Sequence, residues 1–312
     1  MKGEILITDS LFIFSEHEKM LKDAGFKIER LDKPEPTEDE LIEGVKGKVG
    51  YLLGGLDRVT EKVIDAADEL KAISFCGIGY KDFIPAWEYA TKKGIAISNA
   101  PDGPTHAVAE WALGMALAMN RGFFEIGRAG EKSFMTTLGI EGQHIGIMGF
   151  GRIGRHIAQM LLPFRPASIA YTSLHHHDDA AQKLNAMFKE KEALLKESDV
   201  IFLCVSKDAG ENYLREKEIG LMKDKALLIS FMHPEIIDEA ALLKALQSGH
   251  IRAASDYPAK NEVFKNLPFH TWYSFNGSNA FNTTTELKIT SDMATQSLIN
   301  LLTTGQDQYK VN

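Results

Sequence analysis

The stretch Gly149-Phe150-Gly151-Arg152-Ile153-Gly154 constrains the fold of this chain more than any other. A G-x-G-x-x-G by itself is a weak pattern. Here it closes the apolar run HIGIMGF and opens the helical run RIGRHIAQML, and that strand–turn–helix setting gives it meaning. Gly149 allows a tight turn, Gly151 lets the backbone approach a pyrophosphate, and Gly154 lets helix and strand pack closely. The amides that begin the helix at Arg152 and Ile153 add the positive end of its dipole. A dinucleotide is the ligand such a turn takes. A structural glycine turn is the alternative.

The flanking sequence repeats the same rhythm. EILIT, VGYLLGG, LKAISFCG and IAISNAP read as strands, and SEHEKMLKDAG, TEKVIDAAD and PAWEYATKKG between them read as helices. A second series runs from QHIGIMGF through SIAYTS, VIFLCV and ALLISF to IRAASDY. Alternating strands and helices imply α/β architecture with parallel sheets. The 312 residues exceed one ordinary core and suggest two domains. THAVAEWALGMALAMNRGFF is a long helix, apolar on nearly all sides, and so buried between domains or subunits. TTTELKITSDMATQSLINLL is amphipathic and polar enough to lie at the surface.

Composition narrows the function. A net charge of −8 offers no basic face for nucleic acid. No apolar run reaches bilayer-spanning length, and the first residues read as a strand, so the expectation is a cytoplasmic protein that meets no membrane. Cys76 and Cys204 sit in separate apolar runs as two reduced, buried thiols. His175-His176-His177 cannot all face one ion, so they read as a solvated loop and no metal is expected.

Two strand ends carry the chemistry. The strand after the glycine turn should end in an acid if it holds an adenine ribose with a free 2′-hydroxyl. The position falls on Thr172, followed by Ser173, with no acid and no following arginine, so NAD and NADP both remain open. The run LLISF ends in Met232-His233-Pro234. Proline suits the first position of a helical turn, so His233 is either a functional imidazole in a ligand crevice or a residue capping that turn.

These motifs together resemble the D-isomer-specific 2-hydroxyacid dehydrogenases. LKAISFCGIGYKDF, GIAISNAPDGPTHAVAEWALGMALAMNR, GQHIGIMGFGRIG, LMKDKALLIS with DEAALLKALQSGHI, NAFNTTTE and YKVN all match the family. The resemblance implies a Rossmann nucleotide domain, 101–285, inserted in a flavodoxin-like substrate domain, 1–100 plus 286–312, and a homodimer. It places Asp256 beside the nicotinamide, Thr105 at the hinge facing the cofactor, and Cys204 on the adenosine side. It also assigns the Gly54-Gly55 and Gly77-Ile78-Gly79 turns to a substrate carboxylate. The match breaks where the family keeps its catalytic arginine and histidine, because His233 and Ser278 stand at those positions. The family's glutamate falls on Glu262 or on Asn261.

The expectation is therefore an NAD(P)-dependent oxidoreductase acting on a CH–OH/carbonyl pair of a small-molecule substrate. Its catalytic residues are altered, its substrate is atypical, and it turns over pyruvate-like acids slowly. The alternative is a dinucleotide-binding sensor of the same fold that has lost hydride transfer.

Overall fold

The computed structural model describes residues 2–8, 13–128, 136–205, 210–275, 277 and 279–312. They form two compact units that divide at 104/105 and 281/282, a few residues from the boundaries expected above.

The first unit, Met1–Pro104 with Asn282–Asn312, holds five strands. These are β1 (Glu4–Thr8), β2 (Lys27–Leu31), β3 (Gly50–Leu53), β4 (Ala72–Phe75) and β5 (Ala96–Ser98). All pair in parallel in the order β2-β1-β3-β4-β5. The strands buried on both faces read as near-continuous apolar runs, such as Tyr51-Leu52-Leu53. The order reverses between β1 and β3, and ligands of open α/β sheets gather beyond strand ends at such a switch.

The helix Thr284–Thr304 leaves Lys288, Ile289 and Gln296 exposed on one face, and its other face is more deeply buried than its polar residues suggest. It buries Thr290, Ser291, Ala294, Thr295, Ser297, Leu298 and Leu301. Its small polar residues can be buried because helical hydroxyls bond back to the preceding turn, as Ser291 Oγ does to Leu287 O at 2.7 Å. A Cβ on Gly50 would stand 2.8 Å from the end of the Leu302 side chain, so glycine lets this helix pack closely on β3. Beyond it the chain end covers the edge of β5, with Val311 N donating to Ile97 O at 2.8 Å.

The second unit, Thr105–Phe281, holds β6 (His144–Met148), β7 (Ser168–Thr172), β8 (Ala186–Phe188), β9 (Val200–Leu203), β10 (Ala226–Ser230), β11 (Ile251–Ser255) and β12 (Trp272–Ser274). Their order is β12-β11-β10-β9-β6-β7-β8. Every pairing is parallel, and the order reverses between β6 and β9. The helix Thr105–Asn120 buries Ala109, Ala112, Met115, Ala116 and Met119 in this unit's core beside Ile145, Ile147 and Phe150. Arg252 crosses to the carboxyl end of that helix and donates to Asn120 Oδ1 at 2.8 Å and Met119 O at 3.4 Å. No helix among the described residues is long and apolar enough to cross a membrane.

Candidate active site

The turn after β6 is built from steric necessity. Gly149 has φ +98°, and a Cβ there would lie 2.5 Å from Cys204 O. Its N–H donates to Thr172 O at 2.7 Å, tying the turn to the end of β7. A Cβ on Gly154 would lie 2.2 Å from Gly149 O, so the helix Arg152–Leu161 can rise at this angle only from glycine. Gly151 differs, because nothing lies within 4 Å of the place its Cβ would take. It is the N-cap, yet no side chain caps the helix, and the amides of Ile153 and Gly154 have no partner among the described residues. A helix that starts with free amides and an open glycine face can receive a pyrophosphate. Phe150 locks the turn from below, fully buried and stacked on Tyr171 at 4.0 Å.

The neighbouring strand ends supply the other positions. Thr172 is buried at the end of β7. Ser173 Oγ donates to His175 O and curls the loop that follows. Cys204 N donates to Met148 O at 2.7 Å beside the turn, and burial pushes its thiol far above the usual range. Thr105 is the first, buried residue of its helix.

After β10 the chain runs through Phe231 and Met232 to His233, which precedes the 3-10 turn Pro234–Ile236. Proline does open that turn, but the His233 side chain makes no capping bond. Its Nδ1 is enclosed and lies 3.4 Å from Glu235 Oε2, while the ring keeps part of its surface open. Glu235 was not foreseen. The sole cue was its spacing of two residues from His233 within a proline turn.

Glu262 lies at the start of a 3-10 turn, Glu262–Asn266. It stands 78% exposed and pairs with Lys265 at 2.6 Å. Asn261, the other choice, caps the 3-10 turn Glu262–Asn266 through Val263 N at 3.0 Å. Glu239 holds both preceding amides, Lys260 N and Asn261 N, at 2.8 Å, and this ties the loop to the start of the helix after β10. His270 sits beside Glu125 Oε1 at 3.7 Å. Ser278 lies outside the described residues. Asp256, buried after β11, accepts the amides of Asn279 and Ala280 at 2.9–3.1 Å and so fixes the chain that follows position 278.

In the first unit the two glycine turns leave the carboxyl ends of adjacent strands β3 and β4. Gly54 N donates to Thr8 O at 2.8 Å, beside the β1/β3 reversal. Beneath the turn, fully buried Asp57 accepts from Tyr51 Oη at 2.7 Å and from Thr8 Oγ1. A Cβ on Gly55 would meet Asp57 Oδ1 at 2.8 Å. Burial, then the Asp57 charge, raises the Tyr51 hydroxyl far above its usual range and keeps it a donor. This network was invisible in sequence because its members come from two strands and a turn. After β4, Gly77 O accepts Ala100 N at 2.9 Å, and Ile78 O accepts Asn99 Nδ2 at 2.9 Å. With those carbonyls occupied, the amides of Ile78 and Gly79 are left without partners among the described residues, a form suited to a carboxylate.

A seven-stranded doubly wound sheet with an uncapped glycine turn at its switch point defines a dinucleotide-binding α/β protein. Residues 113–275 match the sequence profile of the D-isomer specific 2-hydroxyacid dehydrogenase NAD binding domain. The glyoxylate reductase of Thermococcus litoralis is 32% identical over 285 residues, covering 86% of this chain and 82% of that one. The D-3-phosphoglycerate dehydrogenase of Methanocaldococcus jannaschii is 32% identical over 278 residues, 86% of this chain and 51% of that one. The chain belongs to the D-isomer-specific 2-hydroxyacid dehydrogenase family. Its fold matches that of the apo D-lactate dehydrogenase of Escherichia coli with a TM-score of 0.82 at 22% identity, over 99% of this chain and all of the other.

Proposed function

We propose that the protein is an NAD(P)-dependent oxidoreductase that interconverts a carbonyl and an alcohol on a small carboxylate substrate, with His233 as its proton donor. The observation that carries the reading is the His233–Glu235 pair at the end of β10, Nδ1 to Oε2 at 3.4 Å. When bound, the reduced nicotinamide supplies a hydride to the carbonyl carbon. The developing alkoxide must take a proton at the same time. Standing beside Nδ1, the Glu235 carboxylate can orient the ring so that Nε2 is the nitrogen offered to substrate.

An imidazole cannot form the bidentate fork of arginine, so pyruvate-like acids that depend on that fork turn over slowly and the preferred substrate is atypical. The working form is a homodimer.

The test measures glyoxylate and pyruvate reduction with NADH and NADPH. Replacing His233 by alanine should lower kcat by about 10²–10⁴, the range of general acid catalysis, with dinucleotide affinity retained. Unchanged turnover removes His233 from the chemistry. Dinucleotide binding with no turnover of any carbonyl compound favours the second reading, a nucleotide sensor, which the replaced catalytic positions His233 and Ser278 support.

A further inference from the structure

Accepting that a dinucleotide occupies the Gly149–Gly154 turn, we infer that Arg155 and the loop Thr172–His177 form a site for a 2′-phosphate, so that the protein selects NADP(H) over NAD(H). Sequence spacing alone leaves the choice open, because no acid ends β7 and no arginine follows it. The structure brings an arginine from elsewhere. Arg155 lies in the first turn of the helix Arg152–Leu161 and its Nε donates to Gly151 O at 3.1 Å, so it stays against the glycine turn. His177 reaches the same place from the other side. Its ring lies 6.2 Å from that of Phe150 within the turn, and its N–H donates to Tyr171 Oη at 3.2 Å. The turn and the loop are tied together, since Gly149 N donates to Thr172 O at 2.7 Å, and burial, then the charges of Arg155 and His175, hold the His177 imidazole below its usual range.

The loop has no carboxylate where a 2′-hydroxyl would need an acceptor. The next acid, Asp178, starts the following helix with its carboxylate 87% exposed and 4.0 Å from His176 Nδ1. A ribose 2′-hydroxyl therefore gains no charged partner here. A 2′-phosphate meets a guanidinium whose Nη atoms can bond it in a fork, and the Thr172 hydroxyl at the end of β7. A phosphate dianion gains the Arg155 charge, whereas a neutral hydroxyl does not.

The experiment is calorimetric titration of the full chain with NADP+, NAD+, 2′,5′-ADP and 5′-AMP. NADP+ is expected to bind at least about tenfold more tightly than NAD+, a step of roughly 1.4 kcal/mol, and 2′,5′-ADP more tightly than 5′-AMP. Arg155→Ala should abolish that preference, and Arg155→Lys should keep part of it. Thr172→Asp, which leaves the glycine turn and Arg155 in place, should move the preference toward NAD+. NAD+ binding equal to or tighter than NADP+ in the wild type overturns the inference and leaves the dinucleotide reading standing. Binding of neither dinucleotide overturns both.

Discussion

Two strand-to-helix turns of the same sheet, after β6 and after β10, answer the problem of a helix N-terminus in opposite ways. The helix Arg152–Leu161 starts from Gly151 with no side chain on its first amides. The helix Glu239–Gln247 starts from Asp238, whose carboxylate accepts Ala240 N and Ala241 N at 3.1 Å. Both satisfy the rule that a buried or half-buried helix end needs acceptors. The first leaves that role to a ligand, whereas the second fills it from its own chain and keeps its side chains, His233 and Glu235, for other work. Scaffold and chemistry thus separate physically. At Gly149 and Gly154 the turn after β6 leaves no room for a side chain, while the turn after β10 presents His233 and Glu235.

The largest effect should come from removing the room at Gly154. A valine there would drive its Cβ into Gly149 O. We expect loss of measurable dinucleotide binding, or of folding, by calorimetry and thermal unfolding. Gly151→Ala sharpens the point, because its Cβ meets no protein atom. Stability should hold while affinity falls by about tenfold, roughly 1.4 kcal/mol. Unchanged affinity would mean that no ligand approaches this face.

At β10 the expected change is in rate and not in binding. Glu235→Gln keeps the shape of the turn but removes the charge beside Nδ1. It should lower kcat by about tenfold, less than the general-acid range of ~10²–10⁴ expected for His233→Ala. Glu262→Gln, at an exposed position paired with Lys265, should leave kcat unchanged. The reverse outcome would restore Glu262 as the orienting acid.

What could be read from sequence follows the same division. The β6 turn is local, six contiguous residues between a strand and a helix, so its glycines announce their geometry. The parallel sheets follow from uninterrupted apolar runs such as Ala226–Ser230, buried on both faces. Pairings between distant elements could not be read. Thr8, Tyr51 and Asp57, from two strands and a turn, meet beneath that turn. The loop after β11 is set by Glu239 gripping the Lys260 and Asn261 amides, a contact that residue counting does not reveal. The polar face of Thr284–Thr304 misled because serine and threonine hydroxyls bond their own helix and so can face a core.

Asp256 extends the comparison to the next strand. Its carboxylate is spent on two backbone amides, Asn279 and Ala280. Hydrogen bonds to a charged group are worth about 1.5–3 kcal/mol each. Asp256→Ala should therefore destabilise the protein by about 3 kcal/mol or more in denaturant unfolding, with the midpoint shifted and the slope unchanged. A loss below about 1 kcal/mol, typical of a surface contact, would show that the segment after residue 278 is held by something else.

The smallest effect should come from Asp238, and it tests the comparison most directly. Replacing an N-cap aspartate by alanine costs about 0.5–2 kcal/mol. If the two helix starts are independent solutions to the same problem, Asp238→Ala should lower stability by about that amount and leave dinucleotide affinity as it was. The uncapped helix after β10 would then also present free amides to solvent. Inorganic phosphate should restore part of the lost stability in the variant and do less in the wild type, where Asp238 already occupies those amides. A variant that loses dinucleotide affinity would show that the cap after β10 sets the geometry of the turn after β6, and the two could no longer be treated as separate parts.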